Sequence, residues 1–218
     1  PVLGYWLGPV AGSEIAVIEG LPAYTGEDAL KALGAAAAST GSVAKFHVAG
    51  VTPEAPTAEQ ALGGKPPRAS WTVTDEMMTE GRDRLSTIRG DRLDVVAVGS
   101  PHFSLDEFHR LIDLFEGRVS AVPFHACTSR HVIRRLAEEG ALEAIEQSGV
   151  NLVADTCVVV TAIIPDQGGV LMTNSGKFAH YSRPLINHDV VFGGLDECIE
   201  SAVAGRVMRN AAGWGATT

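Results

Sequence analysis

The chain has 218 residues, 45% of them hydrophobic and 20% charged, which suits a globular protein with a sizeable core. A formal net charge of −9 argues against a nucleic-acid partner, which demands a basic stripe, but permits a small anion in a locally positive pocket. The longest apolar run, residues 157–164 broken by Thr161, is too short to span a bilayer. No signal peptide is visible, and three cysteines are too few for a secreted disulfide framework, so the expected compartment is cytoplasmic.

In chain order, Pro1-Val-Leu-Gly-Tyr-Trp-Leu-Gly8 opens without methionine and reads as the interior of a longer polypeptide. Glu27 to Ala38 predicts an Ala-rich helix, and Ser42 to Val48 a strand running into Ala49-Gly-Val-Thr-Pro-Glu54. From Val51 to Ser70, Pro53, Pro56, Pro66, Pro67 and the pair Gly63-Gly64 predict a long irregular excursion. Leu93 to Val98 is strand-like and feeds a loop, Gly99-Ser-Pro-His-Phe103. Ser104-Leu-Asp-Glu107 is a capping box, and Leu105, Phe108, Leu111, Ile112 and Phe115 form the apolar stripe of the helix it starts. Val119 to Phe124 predicts a third strand, followed by Cys127 and a helix capped by Thr128 or Ser129. That helix runs through Val132 and Leu136 towards Ile145, with a break near Gly140. Val150 to Ala154 is a fourth strand, leading to Asp155-Thr-Cys157; Val170 to Met172 and Val190 to Phe192 are shorter ones, each with a helix after it. Ala211 to Thr218 is a tail of small residues. Strands alternating with helices imply one α/β domain over residues 1–218, with a doubly wound, mainly parallel sheet and helices on both faces.

In such a sheet the strand ends open onto a shared crevice. Cys127 and Cys157 each stand where a strand gives way to a loop, an arrangement that suits soft-metal ligation, iron–sulfur above all. Cys127 also precedes a helix N-terminus and Arg130, both of which favour thiolate. Against ligation stands plain core packing, which is the reading for Cys198 within the stripe Leu195, Cys198, Ile199 and Ala202. No CxxC pair is present, so two thiols alone leave a site incomplete. His102 and Ser104 lie on a loop above a capped helix. Thr173-Asn-Ser-Gly-Lys177 lacks the upstream glycine of a phosphate loop but could hold a carboxylate through Asn174, Ser175 and Lys177. His47 reads as a satisfied core or rim histidine. His180 reads as a neighbour of the carboxylate loop or a solvated helix residue.

Five collinear segments then resemble the catalytic large chain of the aconitase X family: Phe46-His-Val-Ala-Gly-Val-Thr-Pro-Glu-Ala-Pro56, Gly99 to Glu107, Cys127-Thr-Ser-Arg130, Asp155-Thr-Cys157-Val-Val-Val160 and Met172 to Tyr181. The resemblance implies an aconitase-like three-layer domain and a hydro-lyase acting on a small hydroxy acid, cis-3-hydroxy-L-proline first and phosphomevalonate second. By the same resemblance, Cys127 and Cys157 are two of three cysteine ligands to an iron–sulfur cluster, with a mononuclear iron as the other option. It further implies partners: an N-terminal part of the large chain carrying the third cysteine, and a small swivelling domain or subunit carrying a catalytic serine. Within this chain the expected catalytic residues are His102, Ser104 and Lys177, and the expected substrate contacts are Thr128, Ser129, Asn174 and Ser175. The competing reading is a non-catalytic α/β module that binds a partner chain, its cysteines filling core. A nucleotide-dependent oxidoreductase lacks the glycine fingerprint.

Overall fold

The structure, a computed structural model, describes residues 1–210; the tail expected from Ala211 to Thr218 lies outside them. Where the sequence suggests one domain, the chain divides into two compact units, Pro1–Gly81 and Arg82–Thr218. The division follows from two separate sheets, one of two strands and one of five.

The first unit holds α1 (Val2–Ala11), β1 (Ala16–Ile18), α2 (Glu27–Thr40), β2 (Phe46–Val48) and α3 (Ala58–Ala61), and ends within α4 (Asp75–Arg84). β1 and β2 pair in parallel, with Val17 opposite His47. The opening segment, unassigned by pattern, is helical. Its glycines let α1 sit directly on α2: a Cβ on Gly4 would stand 2.1 Å from the Leu33 carbonyl oxygen, and one on Gly8 2.1 Å from Thr40 Oγ1. The excursion between Val51 and Ser70 is mainly turns, interrupted by α3, which Thr57 caps by accepting the Gln60 N–H at 3.1 Å.

The second unit contains β3 (Val95–Phe103), α5 (Leu105–Phe115), β4 (Phe124–Thr128), α6 (Arg130–Glu138), α7 (Leu142–Gln147), β5 (Val150–Ala154), β6 (Gly169–Thr173), α8 (Gly176–Ile186), β7 (His188–Phe192) and α9 (Leu195–Ala204). The five strands lie in the order β5-β4-β3-β6-β7, all pairs parallel. Alternation along the strands splits the core into two layers. Val96, Val98, Phe124, Ala126, Val170 and Met172 face a layer completed by α5, α6, α7 and α9. Val95, Ala97, Cys127, Val153 and Leu171 face the other, closed by Phe178 and Ile186 of α8 and by Val158, Val159 and Ile164. Helices on both faces of a parallel sheet are the doubly wound α/β class the sequence predicts.

Three strand boundaries differ from expectation: the strand expected from Ser42 forms only over Phe46–Val48. The third predicted strand begins after Pro123, which has no N–H for a ladder; Ser120 and Ala121 instead donate to the carbonyls of Ser148 and Ala202. Cys127 therefore lies inside β4. The predicted loop Gly99–Phe103 is an irregular continuation of β3, whose register against β4 shifts between Val98 and Phe103.

Candidate active site

Because all five strands run in parallel, their C-terminal ends share one edge. The chain steps outward from β3 to β4 and β5, then returns across β3 to β6 and β7. That reversal makes the ends of β3 and β6 the place where connections diverge, the position at which open α/β sheets generally bind ligands. His102 and Ser104 close the β3 side, while Asn174, Ser175 and Lys177 follow β6. Cys127, Thr128 and Ser129 belong to the end of β4, and Cys157 follows β5.

The two thiols face the same layer. Cys127 is fully buried there, and Cys157, half-buried, packs against the same cluster. Burial pushes the Cys127 thiol up to about 12, while the backbone N–H of Val158 donates to its sulfur and a charge on neighbouring Cys157 would raise it further. This corrects the sequence expectation of a thiol activated by a helix N-terminus: α6 starts three residues later, at Arg130, and desolvation dominates. A Cβ on Gly99 would lie 2.1 Å from the Cys127 carbonyl oxygen, so only glycine, here at φ 87°, lets β3 pass this close.

The turn carrying Cys157 is densely bonded. Asp155 extends the β4–β5 ladder by donating its N–H to the Thr128 carbonyl at 2.8 Å. It then turns the chain at φ 57°. Its carboxylate accepts the Arg130 N–H at 3.0 Å and the Arg130 Nε–H. Those two bonds, with the positive fields of Arg130 and His102, hold its carboxyl below the usual range. His102 Nε2 lies 3.2 Å from the Thr156 carbonyl oxygen; a carbonyl only accepts, so Nε2 carries the hydrogen. The Cys157 carbonyl receives Thr161 Oγ1 at 2.8 Å and the Val160 N–H at 3.1 Å.

The remaining candidates divide into anchored and available groups. Thr128 is buried and donates to the Phe103 carbonyl at 2.7 Å, closing β3 onto β4. Ser129, not Thr128, caps α6 by accepting the Val132 N–H at 3.2 Å. Ser104 forms the capping box with Glu107, with both bonds in place. Ser175 caps α8 by accepting the Phe178 N–H at 3.1 Å and donates to the Ser100 carbonyl, tying the β6 end to the β3 end. Asn174 and Lys177, both half-buried, make no side-chain hydrogen bond or ion pair among the described residues. Lys177 stands in the first turn of α8, where the helix dipole disfavours a cation and an anion would offset it. His180 is exposed, edge-on to Tyr181 at 4.8 Å between ring centroids.

Cys198 is fully buried in α9, as its helical stripe predicts. His47 is buried too, but its Nδ1 has no partner, so it is not the satisfied histidine expected. His125 was missed. It shares a strand face with Cys127 two residues on, its Nδ1 is buried without a partner, and burial lowers its pKa. The alternation His125-Ala-Cys127 was the signal that could have found it.

No group of three or more His, Cys, Asp or Glu side chains is placed to hold a metal ion among the described residues. The donors that are present suit iron: two adjacent soft sulfurs, one receiving a backbone N–H. Two sulfurs alone would leave such a centre short of protein ligands.

This arrangement is that of a doubly wound α/β unit with a thiol pair beside its topological switch point. The model of the Aconitase X second domain matches residues 1–83 and that of the Aconitase X third domain residues 93–204. The chain belongs to the aconitase X family. It is 39% identical to a cis-3-hydroxy-L-proline dehydratase of Pseudomonas aeruginosa, over 98% of this chain and 38% of that protein. It is 38% identical to a phosphomevalonate dehydratase large subunit of Methanothermobacter thermautotrophicus, over 87% of this chain and 46% of that one. The structure of aconitase X from Thermococcus kodakaraensis in its holo-form superposes with a TM-score of 0.77 at 29% identity, covering 92% of this chain and 50% of that chain. The chain thus spans between about a third and a half of the length of the curated relatives it matches. Those named relatives are dehydratases, that is, hydro-lyases. Among the described residues no helix is long and apolar enough to cross a membrane.

Proposed function

We propose that this chain forms the iron-binding core of a hydro-lyase that removes water from a small hydroxy acid, cis-3-hydroxy-L-proline in the first instance. The observation that carries the reading is the pair Cys127 and Cys157, delivered to one layer from adjacent strands β4 and β5, next to the β3/β6 switch point. Dehydration breaks the α-carbon–hydrogen bond and the β-carbon–oxygen bond, forms a carbon–carbon double bond and releases water. An iron centre held by the two thiolates, as a cluster or a single ion, would supply Lewis acidity towards the departing hydroxyl.

This chain's own residues do the rest of the positioning. Lys177 and Asn174 bind the substrate carboxylate, assisted by the backbone N–H groups that open α8. His102 borders the crevice from the β3 side. Ser104, Thr128, Ser129 and Ser175 hold the loops in place through the bonds described above. The base that takes the α-proton, and a further metal ligand, come from other polypeptide regions, including a small swivelling domain. The hydroxyproline substrate is favoured by the relative at 39% identity. Phosphomevalonate is the second reading, favoured by the archaeal relative at 38%.

Anaerobic iron reconstitution of the full assembly that contains this chain, followed by dehydration assays on both compounds, tests the proposal. Cys127→Ser and Cys157→Ser should each lose iron and turnover. Retention of both by either variant would overturn it.

A further inference from the structure

The turn Asp155-Thr-Cys157 is tied to three other elements, and the bonds bracket the sulfur on both sides. Before it, Asp155 bonds β4 through Thr128 and α6 through Arg130, while the Thr156 carbonyl takes its bond from His102 of β3. After it, Val158 N–H reaches the Cys127 sulfur, and Thr161 and Val160 close on the Cys157 carbonyl. Of these, the Asp155 carboxylate is the one side chain that joins the Cys157 turn to the segment immediately following Cys127. Asp155 also holds a left-handed backbone, φ 57°, which a non-glycine residue adopts at a cost.

We infer that Asp155 is a positioning residue: its carboxylate, bonded to Arg130, sets the Cys157 sulfur against the Cys127 sulfur so that both can hold one metal ion. This rests on the reading of the two cysteines as ligands. Each thiol gives up its proton as its sulfur takes up the ion. Arg130 contributes through a charge-assisted bond and through the first N–H of α6, so the lock is anchored to helix backbone as well as to a side chain.

The inference can be tested with cadmium ion alone, whose thiolate complexes show an ultraviolet sulfur-to-metal charge-transfer band and need no catalytic activity. Asp155→Gly removes the carboxylate while keeping the left-handed backbone accessible. Asp155→Asn keeps an acceptor for the Arg130 N–H and tolerates the same backbone. Circular dichroism establishes that each variant is folded. The expected result is a band of two-thiolate intensity in the native protein and a cadmium Kd raised about 10- to 100-fold in Asp155→Gly, with a loss of intensity. Asp155→Asn should recover much of that loss, which a merely structural effect on the fold would not produce. Native-like affinity and intensity in Asp155→Gly, with the band lost in Cys127→Ser and Cys157→Ser, would overturn the positioning role and leave the ligand reading intact. A band that survives both cysteine substitutions would overturn both readings together.

Discussion

The two faces of the five-stranded sheet are built for different purposes. One is covered by α5, α6, α7 and α9 and packs Phe108, Leu111, Phe115, Phe124, Leu136, Ile145 and Ile199 out of solvent. Its aromatic contacts are edge-on, Phe115 to Phe124 at 5.6 Å and Phe103 to Phe108 at 5.5 Å. The other is covered by α8 and an irregular segment, and it includes Cys127, Cys157 and the unpartnered nitrogen of His125. A parallel sheet must bury both faces. Here the large aromatic core lies mostly on the face with four helices, and the pair Cys127 and Cys157 lies on the face with one.

Paired substitutions can break this contrast. Phe108→Ala and Phe178→Ala each remove a fully buried ring, one from each face, and each should cost about 3–5 kcal/mol in denaturant unfolding. They should differ in the rate at which Cys127 is alkylated in the folded protein. Loss of Phe178 should speed that labelling, whereas loss of Phe108 should not. Equal effects on Cys127 would show that the faces are not energetically separate.

A second effect concerns the strand beneath the thiol. Gly99→Ala forces a Cβ into the Cys127 carbonyl at a backbone angle that side chains rarely adopt. The backbone conformation alone should cost roughly 1–3 kcal/mol, and the clash adds to it, read as a lowered Tm. Because the contact is to Cys127 itself, iron retention should fall in the same variant.

Much of this was legible in the sequence where the signal is local. The capping box at Ser104 and Glu107, the strand Val150–Ala154, the helix break near Gly140 and the packing stripe around Cys198 all depend on residues a few positions apart. What failed depends on distant partners. Gly4 and Gly8 leave the opening segment unassigned until α2 is seen to need their missing side chains. Cys127 reads as an activated thiol until its burial is known. Likewise, nothing local announces that Asp155 will bond Arg130 across 25 positions.

The cysteines sharpen the comparison further, with a smaller expected effect. Cys198→Ser places a hydroxyl in the helix-covered layer and should cost about 1–3 kcal/mol while leaving iron content unchanged, in contrast to Cys127→Ser. Alkaline titration gives an independent check. The Cys127 thiol is raised in the folded state from 9.0 to about 12. Its protonated form is therefore the one that folding favours, and that contribution is fully present below about pH 9. It is lost as the pH climbs towards 12, so stability should fall across that window. Cys127→Ser should flatten the part of the decline that is due to this thiol.

The smallest predicted effects distinguish anchoring hydroxyls from substrate contacts. Ser129 and Ser104 each accept a backbone N–H at the start of a helix, so Ser129→Ala and Ser104→Ala should each cost about 1 kcal/mol. Neither change should alter KM for the hydroxy acid, because each hydroxyl accepts an N–H of its own helix. Lys177→Ala removes no intramolecular ion pair among the described residues and relieves an unfavourable dipole contact, so it should leave the fold as stable or slightly more so while raising KM. A serine variant that raised KM as much as Lys177→Ala would move its hydroxyl from scaffold to substrate, and the division of labour at the strand ends would have to be redrawn around it.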